Sequence, residues 1–386
     1  MFVKYPFSEE QEMLKDLCRE IAEEKVRPIS REYDEKEQFP WEAIKAMAQS
    51  DLFRIPIPEK YDGMGGSLLD LCIATEEISR VDGGVGTSYA ASFLGMFPIL
   101  LNGTEDQKKK YLPLIASGEK LAAFGLTEPE AGSDASAIKT TARKDGDYYV
   151  LDGTKCFITN GGEAEIYTIV AVTDKKKGPR GISAFIVEKG TDGFSFGKKE
   201  EKLGIRSSTT RELVFNGARV HKDNLLGGRE GVGFVATMKT FDQSRPGVAA
   251  QAVGIAQGAL EAAVKYAHSR VQFGKPITSF QGIQWMMADM STKVEAARSL
   301  VYSVAGMVDR GEKNVAAASA MAKMFASDVA MEVSTDAVQI FGGYGYMRDY
   351  PAEKYMRDAK ITQIYEGTNQ IQRNIIALNL IKKYSK

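Results

Sequence analysis

Apolar side chains recur at helical spacing from the start of the chain. Met13, Leu14, Leu17, Cys18, Ile21 and Ala22 fall on one face, and Ser8 with Gln11 ahead of them has the form of a capping box. Thr104 and Gln107 repeat that cap before a second, short helix. Two glycine groups, Gly63, Gly65, Gly66 and Gly83, Gly84, Gly86, mark expected breaks between helices. Residues 1–119 therefore read as an N-terminal helical domain.

The texture changes over residues 120–229. Short β-rich runs appear at Leu121–Gly125, Tyr148–Leu151, Cys156–Thr159, Ile166–Val172, Ile182–Val187 and Leu213–Phe215, with turn dipeptides at Asp145-Gly146, Asp152-Gly153 and Asn216-Gly217. No helical pattern intervenes, so an antiparallel β-domain is expected rather than a doubly wound sheet. Residues 230–386 turn helical again, in segments near 231–270, 280–310, 314–341 and 368–383. Helices of about 30 residues run about 45 Å and suit a four-helix bundle. Pro246 falls inside such a pattern and should kink its helix, freeing a carbonyl one turn back. The fold class is α+β, mainly α, in the order helical, β, helical.

Composition narrows the function. Lys and Arg number 50 against 51 Asp and Glu, for a net charge of −1, which lacks the basic excess of a nucleic-acid surface. The three cysteines, Cys18, Cys72 and Cys156, form no CxxC pair, so neither a disulfide framework nor a thiolate zinc site is expected, and no metal ligand set stands out. Apolar runs are interrupted before they reach the length of a membrane span. The N-terminus, acidic at Glu9 and Glu10, resembles neither a secretory signal nor a transit peptide, and a cytoplasmic setting follows. Only two histidines occur, His221 and His268, both in polar surroundings, so proton chemistry should rest on carboxylates, Lys or Tyr.

Several segments carry candidate chemistry, among them Gln339-Ile340-Phe341-Gly342-Gly343-Tyr344-Gly345-Tyr346, which closes a helix at a glycine turn and as a bare pattern is a C-cap. Leu126-Thr127-Glu128-Pro129-Glu130-Ala131-Gly132-Ser133-Asp134 follows a strand and offers hydroxyls and approachable amides; taken alone it reads as a polar turn ending that strand. Cys156-Phe157-Ile158-Thr159 sets an aromatic beside a hydroxyl, or is a plain alternating strand with Phe157 in the core. Asp242 and Arg245 share a helical face, as a surface ion pair or as an arginine facing a pocket. Arg270, at the end of a long helix before Gln272 and Phe273, either compensates the helix dipole or grips a pyrophosphate. Glu366, beside Gly367 and among Ile361, Ile364 and Ile371, is either a capping carboxylate or a base whose pKa burial raises. The Gly231–Ala236 stretch fits G-x-G-x-x-A, but no strand precedes it and no βαβ unit follows, so it is not a dinucleotide fingerprint.

In this order and spacing the segments resemble the acyl-CoA dehydrogenase family across essentially the whole chain, in its short- to medium-chain, butyryl-CoA dehydrogenase-like form. The resemblance rests on Gly125-Leu126-Thr127-Glu128 through Gly132-Ser133-Asp134 and Ala137. It rests equally on Gln339 through Gly342-Gly343, Gly345, Asp349, Lys354 and Asp358, and on Tyr365-Glu366-Gly367-Thr368 with Gln370. It implies FAD-dependent oxidation of an acyl-CoA thioester to the trans-2-enoyl-CoA, as in fatty-acid β-oxidation, with Glu366 as catalytic base. By resemblance, Phe124, Leu126, Thr127, Gly132, Ser133, Phe157, Ile158 and Thr159 would hold the flavin ring, with Thr368 and Gln370 nearby. Arg270, Gln272, Phe273, Phe280, Gln281, Gln339, Gly342 and Gly343 would reach a cofactor shared with a neighbouring subunit. Ser133, Asp242, Arg245, Tyr365 and Gly367 would line the acyl-CoA site. The implied assembly is a homotetramer built as a dimer of dimers, with an electron-transferring flavoprotein as acceptor. Phe157 stands where many members have Trp. Ser244 stands where a minority carry the catalytic glutamate, which directs the base role to Glu366. An acyl-CoA oxidase or enoyl-CoA reductase on the same site, and a flavin-free scaffold that binds CoA esters, are the alternatives.

Overall fold

The computed structural model describes residues 3–385. Ser8 caps α1 (Glu9–Ile21) through the reciprocal bonds expected of a capping box: Gln11 N donates to Ser8 Oγ at 3.2 Å, and Ser8 N donates to Gln11 Oε1 at 3.2 Å. One wide turn, Ala22–Val26, joins it to α2 (Arg27–Lys36). There follow α3 (Trp41–Gln49), α4 (Leu68–Ser79), α5 (Gly83–Asn102) and α6 (Glu105–Ala116), the last capped by the predicted Thr104–Gln107 pair.

Gly63, Gly65 and Gly66 lie between helices, and Gly83, Gly84 and Gly86 stand at the break between α4 and α5, just past it rather than within it. They form the first turn of α5, behind the N-cap Asp82. Close approach requires them. A Cβ on Gly84 would sit 2.2 Å from Ser207 Oγ, and one on Gly86 would sit 2.0 Å from Ser79 Oγ.

The central region is a seven-stranded sheet of β1 (Ala122–Gly125), β2 (Thr141–Asp145), β3 (Tyr148–Thr159), β4 (Ile166–Val172), β5 (Ile182–Glu188), β6 (Phe194–Lys199) and β7 (Thr210–His221). Most pairings are antiparallel, as expected, but β1 and β4 run parallel in register Ala122↔Ile166 to Gly125↔Ile169, and β2 makes one parallel bridge to β4. The β2–β3 hairpin lies between β1 and β4 in sequence and returns the chain in the same direction. Of the three turn dipeptides only Asp145-Gly146 opens a hairpin turn. Asp152-Gly153 and Asn216-Gly217 face each other inside the continuous strands β3 and β7, where the register slips and Gly217 N donates to Asp152 Oδ1 at 2.7 Å. The two dipeptides make one bulge.

The C-terminal helices are α7 (Gly233–Ser269), α8 (Gln281–Asp309), α9 (Ala316–Phe341), α10 (Ala352–Thr362) and α11 (Asn369–Tyr384); the polar stretch that forms α10 was not anticipated as a helix. Helix α7 continues through Pro246. The carbonyl that proline leaves without a donor, that of Asp242, accepts instead from Ser319 Oγ on α9 at 2.8 Å. Among the described residues two helices, α5 and α7, are long and apolar enough to cross a membrane, which the interrupted runs did not suggest. Within the fold 78% of each apolar window is buried, and both are core helices.

A buried ionic layer joins the two helical regions. Arg298 on α8 donates to Glu76 on α4 at 2.7 Å, and Tyr302 donates to the same carboxylate at 2.8 Å. Burial raises the Glu76 pKa, and the guanidinium opposes that rise. Replacing Arg298 with Met should strand the carboxylate and cost about 3–5 kcal/mol, seen as a fall in Tm. The double variant Arg298→Met/Glu76→Gln should recover most of that loss, and an unrecovered double variant would assign the cost to packing instead.

Candidate active site

Glu366 lies in the short segment between α10 and α11, with a left-handed backbone (φ +49°) followed by Gly367 at φ +90°. A non-glycine residue in that region costs about 1–3 kcal/mol, so its surroundings must hold it there. They do so at both carbonyls. Gln372 Nε2 donates to Glu366 O at 3.1 Å and to Gly367 O at 2.9 Å, Arg245 Nε donates to Glu366 O at 3.4 Å, and Lys323 Nζ donates to Gly367 O at 2.8 Å. The capping reading fails, because Thr368 caps α11 by accepting from Ile371 N at 3.3 Å.

The Glu366 side chain turns instead to α7, where Ser244 Oγ donates to Oε2 at 2.5 Å. Burial raises its pKa above the usual carboxylate value, opposed by the Ser244 hydroxyl and by the charges of Arg245 and Lys323. Arg245 is itself only 4% exposed, so its pairing with Asp242 at 3.6 Å is no surface bridge.

Glu366 faces a cavity of about 410 Å³. One wall is α5, through Thr87, Ala90, Ala91 and Leu94, and a second is α7, through Phe234, Phe241, Arg245, Val248 and Gln251. The sheet contributes Phe124, Leu126, Thr127, Gly132, Ser133, Phe157, Ile158 and Thr159, and the chain around the carboxylate contributes Tyr365, Gly367, Ile371 and Ile375. The walls are mostly apolar, with a few converging polar groups.

Phe157 is not in the core. The β3–β7 register breaks between Lys155 and Ile158, Phe157 adopts φ +58°, and its ring is 64% exposed toward the cavity. The neighbouring Lys155 is fully buried and donates to Leu126 O at 3.0 Å and to Glu128 Oε1 at 2.7 Å. Glu128 also accepts from Thr140 N at 3.0 Å, so the 126–134 loop is pinned to β3. Burial brings Lys155 down to about 8, against the pull of Glu128. The sequence held one signal for this pair: a lysine on the inward face of an alternating strand, with a glutamate in the loop beside it.

The remaining expected residues gather elsewhere. Arg270, Gln272, Gly342 and Gly343 line an open depression with Tyr266 and Tyr344, and the Arg270 guanidinium lies 5.3 Å from the centre of the Tyr344 ring. Phe273 sits at the tip of a small hairpin, 92% exposed, with Phe280 edge-on at 5.9 Å. Gln281 and Gln339 are exposed on α8 and α9 outside that depression, and Gln370 is exposed on α11. Asp242, Thr368 and Gln370 do not line the cavity. The Tyr365 hydroxyl bonds Gln251, which in turn donates to Gly83 O at 2.9 Å and Thr87 Oγ1 at 2.6 Å, so loop, α7 and α5 are tied at the cavity's edge. Neither Gln251 nor Lys323 was singled out from sequence.

A mainly helical fold around a central β-region thus sets the desolvated Glu366 carboxylate over an apolar cavity. Three family models match in succession: acyl-CoA dehydrogenase N-terminal domain over residues 8–119, middle domain over 123–218 and C-terminal domain over 231–381. The chain is 50% identical to the short-chain specific acyl-CoA dehydrogenase of Clostridium acetobutylicum, over 97% of this chain and 98% of that one. It is 49% identical to the acryloyl-CoA reductase (NADH) of Anaerotignum propionicum, over 98% and 96%. The solved structure of butyryl-CoA dehydrogenase from Megasphaera elsdenii superposes with a TM-score of 0.95 at 47% identity, covering 98% of this chain and all of that one. The chain belongs to the acyl-CoA dehydrogenase family of oxidoreductases.

The Ser244 bond has a measurable sign. The hydroxyl donates to the ionised carboxylate and so lowers its pKa; Ser244→Ala should raise the Glu366 pKa further. In infrared titrations the protonated-carboxyl band lost in Glu366→Gln should persist to higher pH in Ser244→Ala than in wild type. An unmoved band would assign the stabilisation to Arg245 and Lys323 alone.

Proposed function

We propose that the chain catalyses FAD-dependent α,β-dehydrogenation of an acyl-CoA thioester to the trans-2-enoyl-CoA, with Glu366 removing the α-proton. The observation that carries this reading is the enclosed Glu366 carboxylate, raised by burial and facing the apolar cavity beside the exposed Phe157 ring. A base of this kind works best with a pKa shifted toward the operating pH. The Glu366 N–H engages no acceptor among the described residues, which leaves a donor free for the oxygen of a developing enolate. Ser244 and Arg245 hold the carboxylate and its peptide in place, and the walls of α5 and α7 keep water from the reacting carbons.

The residues present fit FAD. Thr127, Ser133 and Thr159 supply hydroxyls around Phe157, and a Cβ built on Gly132 meets nothing within 4 Å, so a flat heterocycle has room there. Arg270, beside the open Gly342 and Gly343, offers a guanidinium for a pyrophosphate. When bound there, the flavin would supply the redox chemistry, as acceptor of the β-hydrogen. The two groups of residues lie in separate depressions, which suits a cofactor shared between two subunits; the assembly in this reading is a homotetramer built from dimers. The reading includes an electron-transferring flavoprotein as acceptor and a reducing, cytoplasmic setting for the three buried thiols.

The similarity to an acryloyl-CoA reductase favours a second reading, in which the same site runs from enoyl to acyl ester. Anaerobic mixing of the reduced enzyme with an enoyl-CoA tests that direction, and rapid reaction of the reduced flavin with oxygen would mark an oxidase. For the primary reading, Glu366→Gln should keep its yellow colour and bind CoA esters while flavin reduction by substrate falls at least about a hundredfold. Near-normal reduction would move the base elsewhere. A panel of acyl-CoA thioesters, scored by anaerobic bleaching of the flavin, assigns chain length.

A further inference from the structure

Two lysines, Lys155 and Lys323, have no accessible surface among the described residues. They are treated differently. Lys155 contacts a carboxylate, Glu128, at 2.7 Å. Lys323, on α9, touches only neutral acceptors: Gly367 O at 2.8 Å and Asn369 Oδ1 at 2.9 Å. An ammonium in such a place is costly unless something offsets its charge.

The charged groups facing Lys323 are few: Glu366 from the loop, Arg245 from α7 and Asp328 from its own helix. Asp328 is already engaged. It accepts from Asn369 Nδ2 at 2.8 Å, from Gln363 Nε2 at 2.7 Å and from Arg373 on α11 at 3.0 Å. Arg245 repels the lysine. The counter-charge left to it is the Glu366 carboxylate.

We propose that Lys323 is the positioning residue of the base: its buried ammonium fastens the left-handed Glu366–Gly367 turn and serves as the counter-charge of the carboxylate, so that the two groups ionise as a linked pair. Burial brings the lysine down to about 7, so this linkage operates near neutrality. While Lys323 is protonated, Glu366 keeps its charge despite its dry surroundings. When the carboxylate takes a proton from carbon, the ammonium loses its partner. The inference rests on the catalytic reading of Glu366 given above.

The test uses the flavin-loaded enzyme and the rate of anaerobic flavin reduction by an acyl-CoA across pH. Lys323→Met should move the acid limb of the profile to higher pH, because the charge that favoured the carboxylate is gone. At neutral pH the rate should fall by about tenfold or more, within the range that a positioned base contributes. Affinity for an unoxidisable CoA thioether should be unchanged, which a general loss of structure would not allow. A profile superimposable on wild type, or a loss of ligand affinity that matches the loss of rate, overturns the proposal.

Should Lys323→Met not yield holoenzyme, the wild-type protein carries the test alone. The pKa of an amine falls steeply on warming, while that of a carboxylate hardly moves. A limb near neutrality that shifts to lower pH with temperature supports Lys323, and temperature-independent limbs reject it. Wild-type flavin that no acyl-CoA reduces sinks the catalytic reading and this proposal with it. Normal wild-type reduction with an unaltered Lys323→Met profile sinks the proposal alone.

Discussion

Everything at this site depends on keeping one carboxylate out of water without letting it collapse into an ordinary ion pair. The Glu366 carboxylate oxygens bond neither Arg245 nor Lys323; their one close side-chain donor among the described residues is a neutral hydroxyl, Ser244 Oγ. A direct salt bridge would pull its pKa down and leave it a poor acceptor for a carbon-bound proton. The cations hold the backbone instead, through Glu366 O and Gly367 O. The cations thus bond the backbone directly and act on the carboxylate only across a gap, an arrangement that the left-handed turn makes possible.

The scaffold serves this arrangement by joining helices that approach from different parts of the chain. Helix α7 brings Ser244 and Arg245, α9 brings Lys323, and α11 brings Gln372. Pro246 breaks a hydrogen bond one residue after Arg245, and the freed Asp242 carbonyl is taken up by Ser319 of α9. A defect in one helix becomes a tie to the next, at the level where the base sits.

Much of this was legible in the sequence, and the failures have physical causes. The capping boxes at Ser8 and Thr104, the long C-terminal helices and the carbonyl freed by Pro246 follow from local chemistry that tertiary context does not override. Asp152-Gly153 and Asn216-Gly217 misled because a turn dipeptide suits a bulge as well as a hairpin, and only cross-strand partners decide between them. Gly83, Gly84 and Gly86 do mark the break between α4 and α5, but they open the second helix instead of filling the gap, because close packing demands glycine as surely as a turn does. Phe157 could have been a core residue by alternation; a slip in register, invisible in one strand alone, exposes it. Lys323 and Gln251 escaped notice because a buried polar residue on a helix looks in sequence like any other polar position. Their importance lies in contacts more than 40 residues away.

The glycine turn at the start of α5 has a consequence for how such a site can change. With Gly84 against Ser207 and Gly86 against Ser79, the foot of that wall has no room for a side chain, and α5 packs there backbone to neighbour. Variation in that wall is therefore left to the positions further along it that line the slot, Ala90, Ala91 and Leu94. Evolution, or an engineer, can reshape this recess one tooth at a time while the comb stays still.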